Sequence, residues 1–162
     1  MLRRTVLSMG VAAVLAACAG SGPVALAPES TLIIVRHGDR DGENLNAKGI
    51  ARAEALVGAV AEFDLAGLYS PGIQRNLDTA APLAKARNLP VTRVPQENPT
   101  GPLTHRGAGR TVIWIGNKGN INTIWEDLSL TAPAPLAYGD LAIIRSDAQG
   151  RVSVESRRFG PA

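Results

Sequence analysis

The chain has 162 residues, 45% of them hydrophobic and only 4% aromatic, and 17 basic against 14 acidic residues give a formal net charge of +3. This length predicts a single domain, and the apolar share argues against wholesale disorder. One cysteine rules out a disulfide framework and a thiolate zinc cluster, two histidines argue against a His-rich metal site, and scattered basic residues without aromatic interleaving argue against a nucleic-acid partner.

Met1 to Cys18 reads as an address. Arg3 and Arg4 form a positive segment, and Val6 to Ala17 is an apolar run shorter than the roughly 20 residues of a membrane span. Leu15-Ala16-Ala17-Cys18 resembles the lipobox of bacterial lipoproteins. The resemblance implies a signal peptide over residues 1–17 and a Cys18 that is lipidated and holds the protein at a membrane. An ordinary signal peptide or a buried apolar helix is the plainer alternative. Within the lipoprotein pattern, Ala19 rather than Asp implies export to the outer membrane of a Gram-negative cell. Arg3-Arg4 also resembles a twin-arginine signal, so both export routes stay open. Residues 18–30, rich in Gly, Ser, Pro and Ala, read as a tether, and the domain is expected over residues 31–160.

Thr31 to Val35 is a β-branched run and predicts a buried strand. A charged loop follows, then a helix over 47–63 whose apolar face is Ile50, Ala53, Leu56, Val57 and Val60. A short strand is expected over 66–69, then a helix over 74–86 with Leu77, Ala80, Ala81 and Ala84 inward. A strand over 90–94 leads into a Pro-, Gly- and Asn-rich stretch to Arg110 that reads as loop. Thr111 to Gly116 predicts a strongly apolar strand, and a short helix is expected over 120–128. Leu141–Arg145 and Arg151–Arg158 pair as a hairpin. Strand–helix alternation implies an α/β fold, a three-layer sandwich whose central sheet is mostly parallel with helices on both faces. Ligands in such folds lie outside the carboxyl ends of the strands.

Arg36-His37-Gly38 follows the first strand. A neutral imidazole is a competent nucleophile near pH 7, a guanidinium offers a planar fork of donors to phosphate oxygens, and Gly38 permits close backbone approach or positive φ. The tripeptide alone is a weak signal. Leu32-Ile33-Ile34-Val35-Arg36-His37-Gly38, however, resembles the opening motif of the histidine phosphatase superfamily, the phosphoglycerate-mutase-like fold. Leu45-Asn46-Ala47-Lys48-Gly49 resembles the stretch that opens the family's first helix. Tyr69-Ser70-Pro71 through Arg75 to Thr79-Ala80 resembles its second signature, with one extra residue between Ser70 and Arg75. Tyr138-Gly139-Asp140-Leu141 and the last hairpin resemble the ends of small members, the phosphohistidine-phosphatase type.

The resemblance implies that His37 is the nucleophile of a phosphohistidine mechanism on a phosphate ester or phosphoramidate, and that Arg36 and Arg75 hold the phosphoryl oxygens. It implies no metal or other cofactor. It places Asn44 near a phosphate-contacting Asn, offset by about a residue, and Thr79 reads either as a packing residue or as a cap or brace for the helix that carries Arg75. Two departures stand out. Asn117 occupies the place of the family's second histidine, and a neutral donor there implies roughly 100- to 1,000-fold less rate, with Lys118 beside it to return some charge. No general acid is evident: Glu97 is one candidate, and Asp39 is another that more naturally pairs with Arg40 or Arg75. His105 reads as a surface residue. Two functions follow, a slow lipid-anchored phosphatase with a phosphorylated small-molecule substrate or a phosphate-binding lipoprotein without turnover. The short loop between the third and fourth strands implies an open, shallow site of modest selectivity.

Overall fold

Every second side chain of the strand β1 (Thr31–Arg36) faces a different layer. Leu32 and Ile34 are buried with Trp114, Leu103, Ile121 and Ile124. Ile33 and Val35 are buried with Leu56, Val60, Ala80 and Leu83. One continuous apolar run thus serves two cores, as a central strand covered on both sides requires. This is a computed structural model and describes residues 24–162. The expected signal peptide, Cys18 and residues 19–23 of the tether lie outside the described residues.

After β1 come β2 (Arg40–Asp41), β3 (Asn44–Leu45), α1 (Ala47–Ala59), β4 (Leu65–Ser70), α2 (Gln74–Arg87), β5 (Val91–Arg93), α3 (Thr100–Arg106), β6 (Thr111–Gly116), α4 (Lys118–Asp127), β7 (Asp140–Ser146) and β8 (Val152–Arg158). Six strands form one sheet in the order β5-β4-β6-β1-β7-β8. The first four are parallel, and β7 and β8 close the edge antiparallel. Helices α1 and α2 contribute to one core, and α3 and α4 to the other. The expected mostly parallel α/β sandwich is therefore the architecture found.

Four local expectations are corrected. The stretch read as loop contains α3. Its prolines hid it, yet Pro99 caps the helix and Pro102 lies in the first turn, where a backbone N–H has no intrahelical partner to lose. Helix α1 ends at Ala59 instead of running to 63, and Ile50 is 51% exposed rather than core. Helix α4 starts two residues earlier than expected, because Asn117 caps it. Helix α2 buries Asn76, Thr79, Ala80 and Leu83, a face rotated from the apolar stripe. Asn76 and Thr79 are drawn inward by hydrogen bonds to Ile115 O (3.1 Å) and from Gly38 N–H (2.9 Å).

The fold also takes in residues assigned by composition to the tether. Leu26 is buried in the core, Ser30 Oγ accepts from Gly109 N–H at 2.8 Å, and Ser30 O accepts from Ser146 N–H at 2.9 Å.

The turn after β1 is held by two glycines packed against it. A Cβ on Gly38 would lie 2.7 Å from Gly49 O, and one on Gly49 would lie 2.0 Å from Asp39 O. Close approach, not positive φ, is what Gly38 supplies. Gly49→Ala is therefore expected to destabilise the protein by about 1–3 kcal/mol through overpacking, measured as a lowered midpoint in urea unfolding.

Candidate active site

The pairing of Arg36 with Gly116 ends β1 and β6 side by side, and His37 follows with its N–H bonded to Gly116 O at 2.9 Å. This is the carboxyl end of the parallel strands, where the chain leaves the sheet and side chains turn toward a shared surface. His37 is only 2% exposed. Its Nδ1 lies 2.8 Å from Gly38 O. A carbonyl only accepts, so Nδ1 carries the proton and Nε2 carries the lone pair.

Burial is the main cause that lowers the His37 pKa from 6.5 to about 4. The hydrogen bond to Gly38 opposes this, while the charges of Arg36, Arg75 and Arg40 add to it. A neutral imidazole among three cations is a poor base toward protons in solution. At neutral pH its Nε2 keeps an unprotonated lone pair, the form that nucleophilic chemistry requires.

Helix α2 brings Arg75 to this atom. Arg75 Nε donates to His37 Nε2 at 3.3 Å, and Arg75 Nη1 donates to Glu43 Oε2 at 2.7 Å. Thr79 holds the helix to the turn: its Oγ1 accepts from Gly38 N–H at 2.9 Å and donates to Arg75 O at 2.7 Å. Thr79 is also buried, at 1% exposed.

Arg36 reaches the same place from the strand. Its Nη1 donates to Leu136 O at 3.0 Å, and its guanidinium carbon lies 3.9 Å from the centroid of the Tyr138 ring. Such a cation–π contact is worth about 0.5–2 kcal/mol. The Tyr138 ring centroid lies 5.8 Å from that of His37. Arg36 Nε is buried without a hydrogen-bond partner among the described residues. Tyr138 is a site residue that sequence reading missed. Its motif stands in the sequence, but nothing local shows that a loop a hundred positions away returns to cover Arg36.

The remaining candidates fall differently. Asn117 follows Gly116 and is spent on structure. Its Oδ1 accepts from Asn120 N–H at 3.3 Å, Asn120 Oδ1 accepts from Asn117 N–H at 3.0 Å, and its Nδ2 donates to Gln96 Oε1 at 3.3 Å. The two asparagines form a reciprocal cap for α4. Lys118 is exposed. Asn44 is exposed in β3 and lines an outer groove with Leu45, Ile50 and Asp78. Its neighbour Glu43 is the residue that meets Arg75. His105 is exposed on α3, as expected.

Asp39 pairs with neither Arg40 nor Arg75. Its Oδ2 accepts from Arg52 Nε at 2.6 Å in a buried ion pair, and Arg52 Nη1 donates to Phe159 O at 2.7 Å. Burial alone would raise the Asp39 carboxyl. The hydrogen bond and charge of Arg52 outweigh it and hold the pKa below its ordinary value. An ionised, committed carboxylate is unsuited to donate a proton. Glu97 is exposed in the segment after β5 and lines a groove with Arg93 and Gln96. Among the described residues, no cluster of three or more His, Cys, Asp or Glu could hold a metal ion.

Comparison with known proteins matches residues 32–96 to the model of the histidine phosphatase superfamily (branch 1). No curated protein matches the sequence significantly. Solved structures share the fold at low identity. A mycobacterial glucosyl-3-phosphoglycerate phosphatase in complex with inorganic phosphate is 14% identical, with TM-score 0.57 over 82% of this chain and 98% of that one. The protein histidine phosphatase SixA, complexed with tungstate, is 16% identical, with TM-score 0.60 over 81% and 97%. YhfR of Bacillus stearothermophilus is 19% identical, with TM-score 0.58 over 76% and 94%.

The lowered His37 pKa makes a stability prediction. An unfolded chain protonates this imidazole near 6.5 and the folded chain near 4. Between those values the unfolded state binds more protons, so stability falls as pH drops through that window. Urea unfolding at pH 7 and pH 5 is expected to show this loss, and His37→Gln to reduce it. The His37 ring should titrate by NMR with a midpoint near 4.

Proposed function

Residues 32–96 match the histidine phosphatase superfamily, and on that premise we propose that the chain belongs to it and hydrolyses phosphate monoesters or phosphoramidates through a phosphohistidine on His37. The observation that carries this reading is the His37 Nε2 lone pair, fixed by Nδ1–H donation to Gly38 O and flanked by Arg75 and Arg36. The phosphate and tungstate bound by two structural neighbours support a tetrahedral oxyanion as the kind of group such a pocket receives.

In this reading Nε2 attacks phosphorus in line, and a P–N bond forms as the bond to the leaving group breaks. The leaving group departs with the electron pair and takes a proton from water. A second water then attacks phosphorus, the P–N bond breaks, and Nε2 recovers its lone pair as inorganic phosphate leaves. Arg75 and Arg36 donate to the equatorial oxygens where charge develops. With Asp39 held by Arg52, leaving groups that need little protonation, such as the imidazole of a phosphohistidine, suit the site best. Asn117 supplies no positive charge where the family has its second histidine. A slow rate therefore belongs to the proposal.

The commitment of Asn117 to the cap of α4 also favours a second reading, an anion-binding protein that holds phosphate without turnover. The full chain in detergent, assayed on p-nitrophenyl phosphate and phosphoramidate, separates the two. Hydrolysis by wild type that is abolished in His37→Ala supports the phosphatase. Asn117→His is then expected to raise the rate 100- to 1,000-fold while losing about 1 kcal/mol of stability with its cap. No wild-type turnover, together with measurable phosphate binding, makes the second reading the correct one.

Export and lipid anchoring are part of the same proposal. Their support is the ordered succession of Arg3-Arg4, the apolar run to Ala17, and Cys18. Expressed in a Gram-negative host, the wild type should fractionate with membranes, and Cys18→Ala should not carry lipid. Unchanged membrane association and mass in Cys18→Ala would contradict the anchor.

A further inference from the structure

Arg75 is occupied on both edges. One edge donates to the nucleophile's lone pair at 3.3 Å, and the other to Glu43 at 2.7 Å. Glu43 sits with Gly42 at the tip of the β2–β3 hairpin, since Asp41 pairs with Asn44. Gly42 has φ +61°, the left-handed backbone that a two-residue hairpin turn demands of its first position. The turn therefore presents Glu43 over Arg75. The Glu43 side chain is 81% exposed while that of Arg75 is 15% exposed. A solvated carboxylate thus caps a largely buried guanidinium. Among the described residues it is the one carboxylate bonded to Arg36, His37 or Arg75.

A carboxylate and a phosphoryl group present the same feature to a guanidinium, a pair of anionic oxygens matched to its fork of donors. We propose that Glu43 is a built-in anionic ligand of Arg75, which the phosphoryl group of a substrate displaces and which returns to help expel inorganic phosphate. The inference rests on the phosphohydrolase reading and names a further residue of that site, acting on Arg75 rather than on phosphorus. The exchange costs little, because exposed ion pairs are weak and the freed carboxylate is already hydrated. It also leaves Nε2 accessible, because the phosphoryl oxygens replace both contacts of Arg75 at once.

The sign of one effect separates this role from that of a residue that aligns Arg75. A competitor weakens anion binding, and an aligner strengthens it. The full chain in detergent is titrated by calorimetry with inorganic phosphate and with tungstate, as wild type, Glu43→Gln, Arg75→Ala and the double variant. Glu43→Gln is expected to bind both anions about two- to fivefold more tightly, the range an exposed ion pair supports. In turnover it should be inhibited by phosphate at correspondingly lower concentration. In the Arg75→Ala background the same change should have no effect. Unchanged or weaker binding in Glu43→Gln overturns the inference alone, as does an equal gain without Arg75, which would mean a diffuse field instead of a contact. Binding by neither wild type nor Glu43→Gln overturns the phosphohydrolase reading, and this inference with it.

Discussion

The hydrogen bond from His37 Nδ1 to the carbonyl of the next residue, Gly38, is the contact on which the site depends. It fixes the tautomer, and with it the position of the ring's lone pair on Nε2. That bond requires the backbone to turn sharply directly after β1. The turn in turn requires Gly38 and Gly49 to touch without side chains. Thr79 then ties Gly38 N–H to the helix that carries Arg75. Strand end, turn and helix are thereby one unit, and the distance between His37 and Arg75 follows from it.

Electrostatics reinforces the same arrangement. Burial first, and then the charges of three nearby arginines, make protonation of His37 costly, so the ring stays neutral where an exposed histidine would be partly charged. Arg36 is in turn kept in place by groups without formal charge. Arg36 rests on Tyr138 and the Leu136 carbonyl. Arg52, one layer out, neutralises Asp39 and joins the turn after β1 to Phe159 at the end of the chain. Among the described residues, Glu43 is the one carboxylate bonded to Arg36, His37 or Arg75, and it faces solvent.

Much of this was legible in the sequence, for physical reasons. Apolar runs such as Leu32–Val35 and Val112–Ile115 are too continuous for a half-exposed strand, so the two-sided sheet could be read directly. The short motif around His37 places its chemistry at a strand end, because the chain must leave the sheet there. What escaped reading depends on contacts between distant residues. Asp39 found Arg52, thirteen positions on, where the sequence suggested Arg40 or Arg75. Tyr138 covers Arg36 from a remote loop. Helix α2 turned its polar Asn76 and Thr79 inward, because hydrogen bonds to Ile115 and Gly38 outweigh an apolar stripe of alanines. Helix α3 was hidden by prolines that its first turn accommodates.

The central claim is that His37 forms a covalent bond to phosphorus. It is tested by mixing the protein with phosphoramidate, quenching rapidly in base and mapping phosphate by mass spectrometry on peptides spanning residue 37. The account predicts an acid-labile, base-stable phosphate on His37, present in wild type and absent from His37→Ala. Turnover by wild type without any phosphorylated His37 peptide would contradict it.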